Sequence, residues 1–276
     1  WRLWDRTLQN RGVAKCPHPV LARLPFYDAV SWDMFDTLVD RPFVEPHELF
    51  QLMERPVRKY LRNIYFPYHH LRREAERRTR QDHGNRVEVT LNEIYEVFGK
   101  ISGLGAEKVE YIKNLELAYE RQVIRERTDI TRTWRLAKVF GKQRSIITDI
   151  YLPQDFIEEV LRACGYDGWD ELFVSSEWRT RKDDGTIYPS YIEAVSSKFV
   201  HRPKLLHIGD NPRADRDMAS LYGIDAHVIP KSMDVLKASG VGAAQQLALR
   251  QRSYDTSVVL GLQASRRFSR AALRPR

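Results

Sequence analysis

Four places in this 276-residue chain set polar, mostly acidic groups directly after a short apolar run. Asp33 follows residues 30–32, Thr148 and Asp149 follow 145–147, Ser175 and Ser176 follow 173–174, and Gly209-Asp210 follows 205–208. Lys182 comes a short loop after the two serines. Singly, each is ordinary, because Asp and Ser begin many turns and cap many helices. Together they share a chemistry. If the runs are parallel strands, all of these groups arrive at the carboxyl rim of one sheet, where open α/β sheets bind ligands. Carboxylates gathered on such a rim call for a hard divalent cation, and oxygen ligands with a phosphate-bearing partner suit Mg2+.

The elements that must position these groups follow from the periodicity. Residues 1–27, with Pro17, Pro19 and Pro25, read as an N-terminal extension or linker. From Pro46 to about Val139 the pattern is helical: Leu49, Phe50, Met53 and Val57 share a face, as do Leu91, Ile94, Tyr95 and Phe98. Leu115, Tyr119, Val123 and Ile124 repeat it, with Glu116 and Glu120 on the neighbouring face, and no strand alternation interrupts the segment. After it, short apolar runs alternate with helical stretches, which indicates parallel βα units. The predicted fold is therefore α/β, a Rossmann-like parallel sheet built from residues 28–43 and 140–232. An all-helical subdomain (44–139) is inserted in it and a basic tail (233–276) follows.

Composition bounds the function classes. With 42% hydrophobic and 30% charged residues the chain can bury a core, which excludes global disorder. No run is apolar for long enough to span a membrane, and no signal-peptide pattern opens the chain. Cys16 and Cys164 are the only cysteines, so a disulfide framework and a cysteine zinc site are both excluded, and a reducing, cytoplasmic setting is expected. The start at Trp1 reads as a fragment or one module of a longer polypeptide. Lys and Arg (45) exceed Asp and Glu (37), which favours anionic partners. Seven arginines stand in 250–276, and a second basic stretch, Arg55 to Arg86, is interleaved with Tyr60, Tyr65, Phe66 and Tyr68. The latter reads as a solvated helix face with its aromatics turned to the core, and with no nucleic-acid signature present, nucleic acid is disfavoured as a partner.

The segments Asp33-Met34-Phe35-Asp36-Thr37-Leu38, Ile146-Ile147-Thr148, Lys182 and Gly209-Asp210-Asn211-Pro212-Arg213-Ala214-Asp215 resemble, in order and spacing, the four motifs of the haloacid dehalogenase (HAD) superfamily. The resemblance implies a Rossmann-like core, with the helical insertion standing where that superfamily places its C1 cap, a lid over the active site. It implies that Asp33 is a nucleophile forming an aspartyl-phosphate. Asp33, the carbonyl of Phe35 and Asp210 would hold Mg2+, and Asp215 would steady that site. Thr148 would bind a phosphoryl oxygen and Lys182 would neutralise charge, with Arg179 and Arg181 as alternative cations.

The pattern departs at Phe35, where phosphatases of this superfamily carry a second aspartate that protonates the leaving group. Asp36 or Asp149 can serve as a displaced acid. Their plainer roles are a turn carboxylate for Asp36 and a helix cap for Asp149. An aromatic at this position also resembles the dehalogenase branch, which works without metal. The phosphorus–carbon-cleaving branch needs a cap lysine, for which Lys59, Lys100, Lys108 and Lys113 are candidates. From the hinge and cap, Arg41, Arg72 and Arg73 can reach a second anionic group of the substrate, and the plainer role of each is solvated surface. His207 reads as a strand residue satisfied in the core, and Arg213 as a surface residue.

These readings converge on an Mg2+-dependent phosphatase of a small phosphorylated metabolite. Residues 32–38 and 148–153 look like a HAD branch met beside, or fused to, glycosyltransferases of bacterial surface polysaccharides. That implies a sugar phosphate or phosphorylated glycan end as substrate and an adjoining glycosyltransferase domain as partner. The alternatives are a degenerate module that binds a phosphorylated ligand or partner domain without turnover, a dehalogenase- or phosphonatase-like hydrolase, and a nucleic-acid or lipid-surface binder acting through the arginine-rich tail.

Overall fold

The computed structural model describes residues 19–85, 87–238 and 254–268. Seven strands occur among them: β1 (Ala29–Trp32), β2 (Val39–Asp40), β3 (Arg125–Glu126), β4 (Gln143–Thr148), β5 (Glu171–Val174), β6 (Leu205–Gly209) and β7 (Asp225–Val228). Five form one sheet in the order β5-β4-β1-β6-β7, with every pairing parallel. β1 lies at its centre and is buried along its whole length, as a strand covered on both faces must be. Its register sets Trp32 beside Ile146 of β4 and Ile208 of β6, so the residues that follow all three strands emerge on the same rim. The amide of Asp33 carries the ladder one step further, donating to the Ile208 carbonyl at 2.8 Å.

The helices are α1 (Glu48–Leu61), α2 (Tyr68–Asp82), α3 (Leu91–Ser102), α4 (Ala106–Val123), α5 (Thr128–Val139), α6 (Gln154–Ala163), α7 (Tyr188–Ser196), α8 (Ser232–Ala238) and α9 (Tyr254–Phe268). On one face of the sheet Trp32 packs edge-on against Trp134 of α5, centroids 5.0 Å apart, and Trp134 packs in turn on Tyr166. On the other, Ile147 and Phe173 meet Tyr188 and Tyr191 of α7. α5 thus covers the sheet and stands with the core, although its residues were expected within the insertion.

Helices α1–α4 form the insertion. The apolar stripes of α1 and α3 are buried as their spacing requires, and α3 opens with a capping box between Thr90 and Glu93. α4 differs from expectation. Its buried residues include Glu116 and Glu120, while Leu115 and Tyr119 are only partly covered. The cause is charge pairing. Glu116 accepts from Arg72 Nε (2.7 Å) and Nη2 (2.8 Å) and from the hydroxyls of Tyr68, Tyr95 and Tyr151, and Glu120 takes both arms of Arg41. A carboxylate with that many donors can leave water; one without them could not. Tyr151 belongs to the loop after β4, so Glu116 also ties the insertion to the rim of the sheet.

The neck of the insertion is a two-residue antiparallel ladder, Val39 with Glu126 and Asp40 with Arg125, where the sequence pattern showed no strand. The described residues of the expected N-terminal extension and C-terminal tail pack on the rest of the structure. Residues 19–26 form two 3-10 turns that bury Val20 and Leu24 in the core; residues 1–18 lie outside the described residues. Within the expected tail, α8 and α9 pack on each other, whereas 239–253 and 269–276 lie outside the described residues. α9 sits on the first strand of the neck's connection to α1. Ser257 Oγ accepts from Val44 N at 3.0 Å and donates to the buried carboxylate of Glu48. A Cβ on Gly261 would stand 2.3 Å from the backbone of Pro42.

Glycine to alanine inside a helix ordinarily adds about 1 kcal/mol of stability. At Gly261 the sign should reverse, because the contact is with backbone that cannot yield, and Gly261→Ala is expected to lose about 1–3 kcal/mol in urea unfolding. A gain would show that α9 does not approach Pro42.

Candidate active site

Each strand delivers its group where the register says it should. The centre is the ammonium of Lys182, buried, donating to Asp33 Oδ1 at 2.5 Å and to Asp215 Oδ1 at 2.7 Å. Asp215 leaves a π-helical turn, Pro212–Met218, whose start is capped by the Asn211 side chain. Gly209 makes this approach possible: a Cβ there would fall 2.2 Å from the Asp215 carboxyl carbon. Asp215 accepts further bonds from the Asn211 amide (2.8 Å) and from His207 Nε2 (3.1 Å). His207 is buried, which lowers its basicity, so the neutral ring points Nε2–H at Asp215 and its Nδ1 at Ser31 Oγ, 2.8 Å away. The histidine read as core packing therefore also orients a site carboxylate.

The electrostatics follow from who shares the lysine. Burial, with the charges of Asp215 and Asp210 beside it, pushes the Asp33 carboxyl well above its ordinary range despite Lys182. Burial also acts to raise Asp215, but Lys182 and His207 outweigh it and hold that group below the usual carboxylate range. Lys182 is buried too, yet Asp215 and Asp33 keep it charged, well above an ordinary lysine. Asp210 is raised by burial and then by Asp36 and Asp215, against the opposing charge of Lys231.

Asp33, Asp210 and Asp215 present carboxylate oxygens within 4.8 Å of one another, an all-oxygen donor set compatible with a hard divalent cation. Lys182 pairs with Asp33 and Asp215, and Lys231 with Asp36 and Asp210, so acids outnumber ammonium groups at the cluster. These residues fit Mg2+. The hydroxyl of Thr148, at the end of β4, is buried without a hydrogen-bond partner and lines the same cavity, of about 580 Å3. Buried hydroxyls rarely stay unpaired, so its orientation suits an oxygen supplied by a ligand.

Sequence candidates fall on both sides of this arrangement. Asp33, Asp36, Thr148, Asp149, Lys182, Asp210, Asp215 and Phe35 all line the cavity. Arg179 bonds Glu93, and Arg181, which also lines the cavity, bonds the Asn85 carbonyl and Asp183, so Lys182 is the cation of that run that reaches Asp33. Asp149 caps no helix: α6 begins at Pro153 without a side-chain cap, and both oxygens of Asp149 accept from the Lys182 amide at 2.9 Å. Burial raises its carboxyl to about 6, against the charge and the amide of Lys182. Asp36 stands in the left-handed conformation at φ 56° and pairs with Lys231 at 3.3 Å.

Arg41 does not reach the cavity. Both its arms are spent on Glu120, and its guanidinium lies 3.8 Å from the centre of the Phe35 ring, which it covers. Arg72 is likewise consumed by Glu116. Ser175 and Ser176 bind the backbone of Ile150 and Leu152 and shape the loop behind Thr148. Lys231, Arg80, Asn85 and Glu88 line the cavity without having been singled out. Lys231 follows the end of β7, so the rule that found the other strand ends reaches it as well. Arg80 and Glu88 carry no such signal, as they read like any charged pair on a helical insertion.

No family model matches the chain, and no curated protein does. Solved structures do. L-2-haloacid dehalogenase from Xanthobacter autotrophicus is 16% identical, over 86% of this chain and 88% of that one, with a TM-score of 0.51. A 2-haloacid dehalogenase from Pseudomonas syringae pv. Tomato is 14% identical, over 72% and 85%, with a TM-score of 0.52. A HAD phosphatase from Thermococcus onnurineus is 16% identical, over 73% and 86%, at 0.46. The chain has the α/β fold of HAD-type hydrolases.

Removing the lysine leaves buried like charges face to face. Lys182→Met is expected to cost roughly 3–5 kcal/mol at pH 8 in urea unfolding. The loss should shrink as pH falls, since the stranded carboxylates have folded-state pKa values above their unfolded ones and take up protons. Added Mg2+ should restore part of it.

Proposed function

We propose that the chain is an Mg2+-dependent phosphohydrolase in which Asp33 is the nucleophile. The observation that carries the reading is the convergence of three carboxylates, a buried ammonium and an unpaired buried hydroxyl on one cavity. Asp33 attacks phosphorus, its Oδ–P bond forms and the bond to the leaving oxygen breaks. Thr148 donates to a phosphoryl oxygen, and Lys182 holds the nucleophile in place and opposes the burial that raises its carboxyl. Water then attacks the aspartyl-phosphate, the Asp33–phosphorus bond breaks and inorganic phosphate leaves. Asp33, Asp210 and the Phe35 carbonyl would hold the metal, with Asp215 behind them, and bound there it would draw charge from the phosphoryl oxygens.

The proton for the leaving alkoxide has two candidate sources near the cavity. Asp149 fits better than Asp36, because with a pKa of about 6 it is partly protonated near neutrality, as a general acid must be. Asp36 is instead ion-paired with Lys231. The polar lining, with Phe35 and Ala214 as its apolar members, favours a hydroxyl-rich leaving group, and we infer a sugar phosphate or a phosphorylated glycan end. A role beside a glycosyltransferase in surface-polysaccharide synthesis, with the insertion as a C1-type cap, is the extension that motif resemblance supports. The second reading, a module that binds a phosphorylated ligand without turnover, is favoured by Phe35 alone. Among the described residues no helix is long and apolar enough to cross a membrane.

Phosphate release from a panel of sugar and nucleotide monophosphates tests the reading. Release should require Mg2+ and fall at least about 10³-fold in Asp33→Asn. If a folded, Mg2+-binding chain releases nothing, the binding module takes its place. For alkyl substrates kcat should fall as pH rises through about 6, because the protonated form of Asp149 is lost there. That limb should vanish in Asp149→Asn and with p-nitrophenyl phosphate, whose leaving group needs no proton. A limb unchanged in Asp149→Asn but lost in Asp36→Asn would transfer the role to Asp36.

A further inference from the structure

The loop that delivers Lys182 also reaches in the opposite direction. Arg179 gives Glu93 of α3 two bonds, Nη1 to Oε2 at 2.7 Å and Nη2 to Oε1 at 2.9 Å. Arg181 Nη1 donates to the carbonyl of Asn85, in the connection between α2 and α3, at 2.8 Å. Arg179 ends the short helix Ser175–Trp178, and residues 180–182 follow without regular structure. The bonds themselves set the directions: the two arginines reach the insertion while Lys182 reaches the carboxylates. Arg179 stands at φ 54°, a conformation that costs any residue with a Cβ, so its side chain rather than its backbone suits the position. The loop is braced from inside as well, by the Lys182 amide on Asp149. Asn85 and Arg181 both line the cavity, so the bond between them crosses its wall.

We propose that Arg179 and Arg181 are positioning residues that latch the helical insertion to the lysine loop, making closure of the cavity and placement of the Lys182 ammonium one event. The latch is built to open. Arg179 and Glu93 remain 37% and 29% exposed, so the pair is screened by salt and weak in isolation, unlike the buried pair of Arg72 with Glu116 at the insertion's centre. A merely structural pair would tie the insertion down without bearing on the lysine. The distinguishing feature here is that the same four residues carry both contacts. The kinetic consequence rests on the phosphohydrolase reading, but the latch does not.

Hydrogen exchange on the full chain reads the latch without any turnover. In Arg179→Ala, exchange should rise about tenfold both in residues 83–93 and in 182–187, including the Lys182 amide, and Arg179→Lys should restore much of the protection. Arg181→Met should reproduce the effect from the other contact. A rise confined to 83–93, or none, overturns the proposal. With a substrate from the phosphate panel, Arg179→Ala should lower kcat by about tenfold while KM changes little, and kcat of the native chain, but not of the variant, should fall with added NaCl. A change in KM alone also overturns it. Should the native chain release no phosphate, the phosphohydrolase reading fails, and the exchange result still decides the latch.

Discussion

Carboxylates brought together at the end of a sheet repel one another, and burial makes that repulsion stronger. Asp33 and Asp215 are tolerated in the interior because one ammonium, Lys182, lies within 2.7 Å of both. Much of the surrounding structure serves this contact. Gly209 omits the side chain that would displace Asp215, His207 donates to it from the neighbouring strand, and Asp149 holds the lysine's backbone. The sheet register then sets Asp33 opposite the others. The carboxylates that remain suit a divalent ion, and the unpaired Thr148 hydroxyl suits an oxygen from a ligand, which is the basis of the function proposed above.

The insertion solves the same problem by a different route. Glu116 is as buried as the site carboxylates but is satisfied by one guanidinium and three phenols, with no charge left over. Glu116 is a charge fully matched by its partners; the strand-end cluster is not. Both contain buried acids, and what separates them is whether the partners complete the balance.

That difference explains what could be read in the sequence. Strand-end groups were legible because a parallel sheet converts sequence position into place: a polar residue after a buried run arrives at the rim wherever it stands in the chain. The parallel sheet and the arrival of Asp33, Thr148 and Asp210 at one rim follow from this rule; Lys182 and Asp215 stand further from their strands and were marked by motif resemblance. Arg41, Glu116 and Glu120 were not legible. On a helix or in the loop beside one a charged residue reads as solvent-facing, and only the tertiary partner reveals that it is inside. The roof of the cavity, at Arg80 and Glu88, stayed silent for the same reason.

The seat of α9 on the neck sets a schedule for the nascent chain. Val44 and its partner Ser257 stand 213 positions apart. At ribosomal speeds of about 5–20 residues per second, roughly ten to forty seconds separate their synthesis. Through that interval the sheet can assemble strand by strand while the connection into α1 has nothing resting on it. Closing so long a loop is also entropically costly, and the close approach of Gly261 to Pro42 needs both ends of it. The rim that holds Asp33 can therefore form while the connection into α1 still lacks its cover.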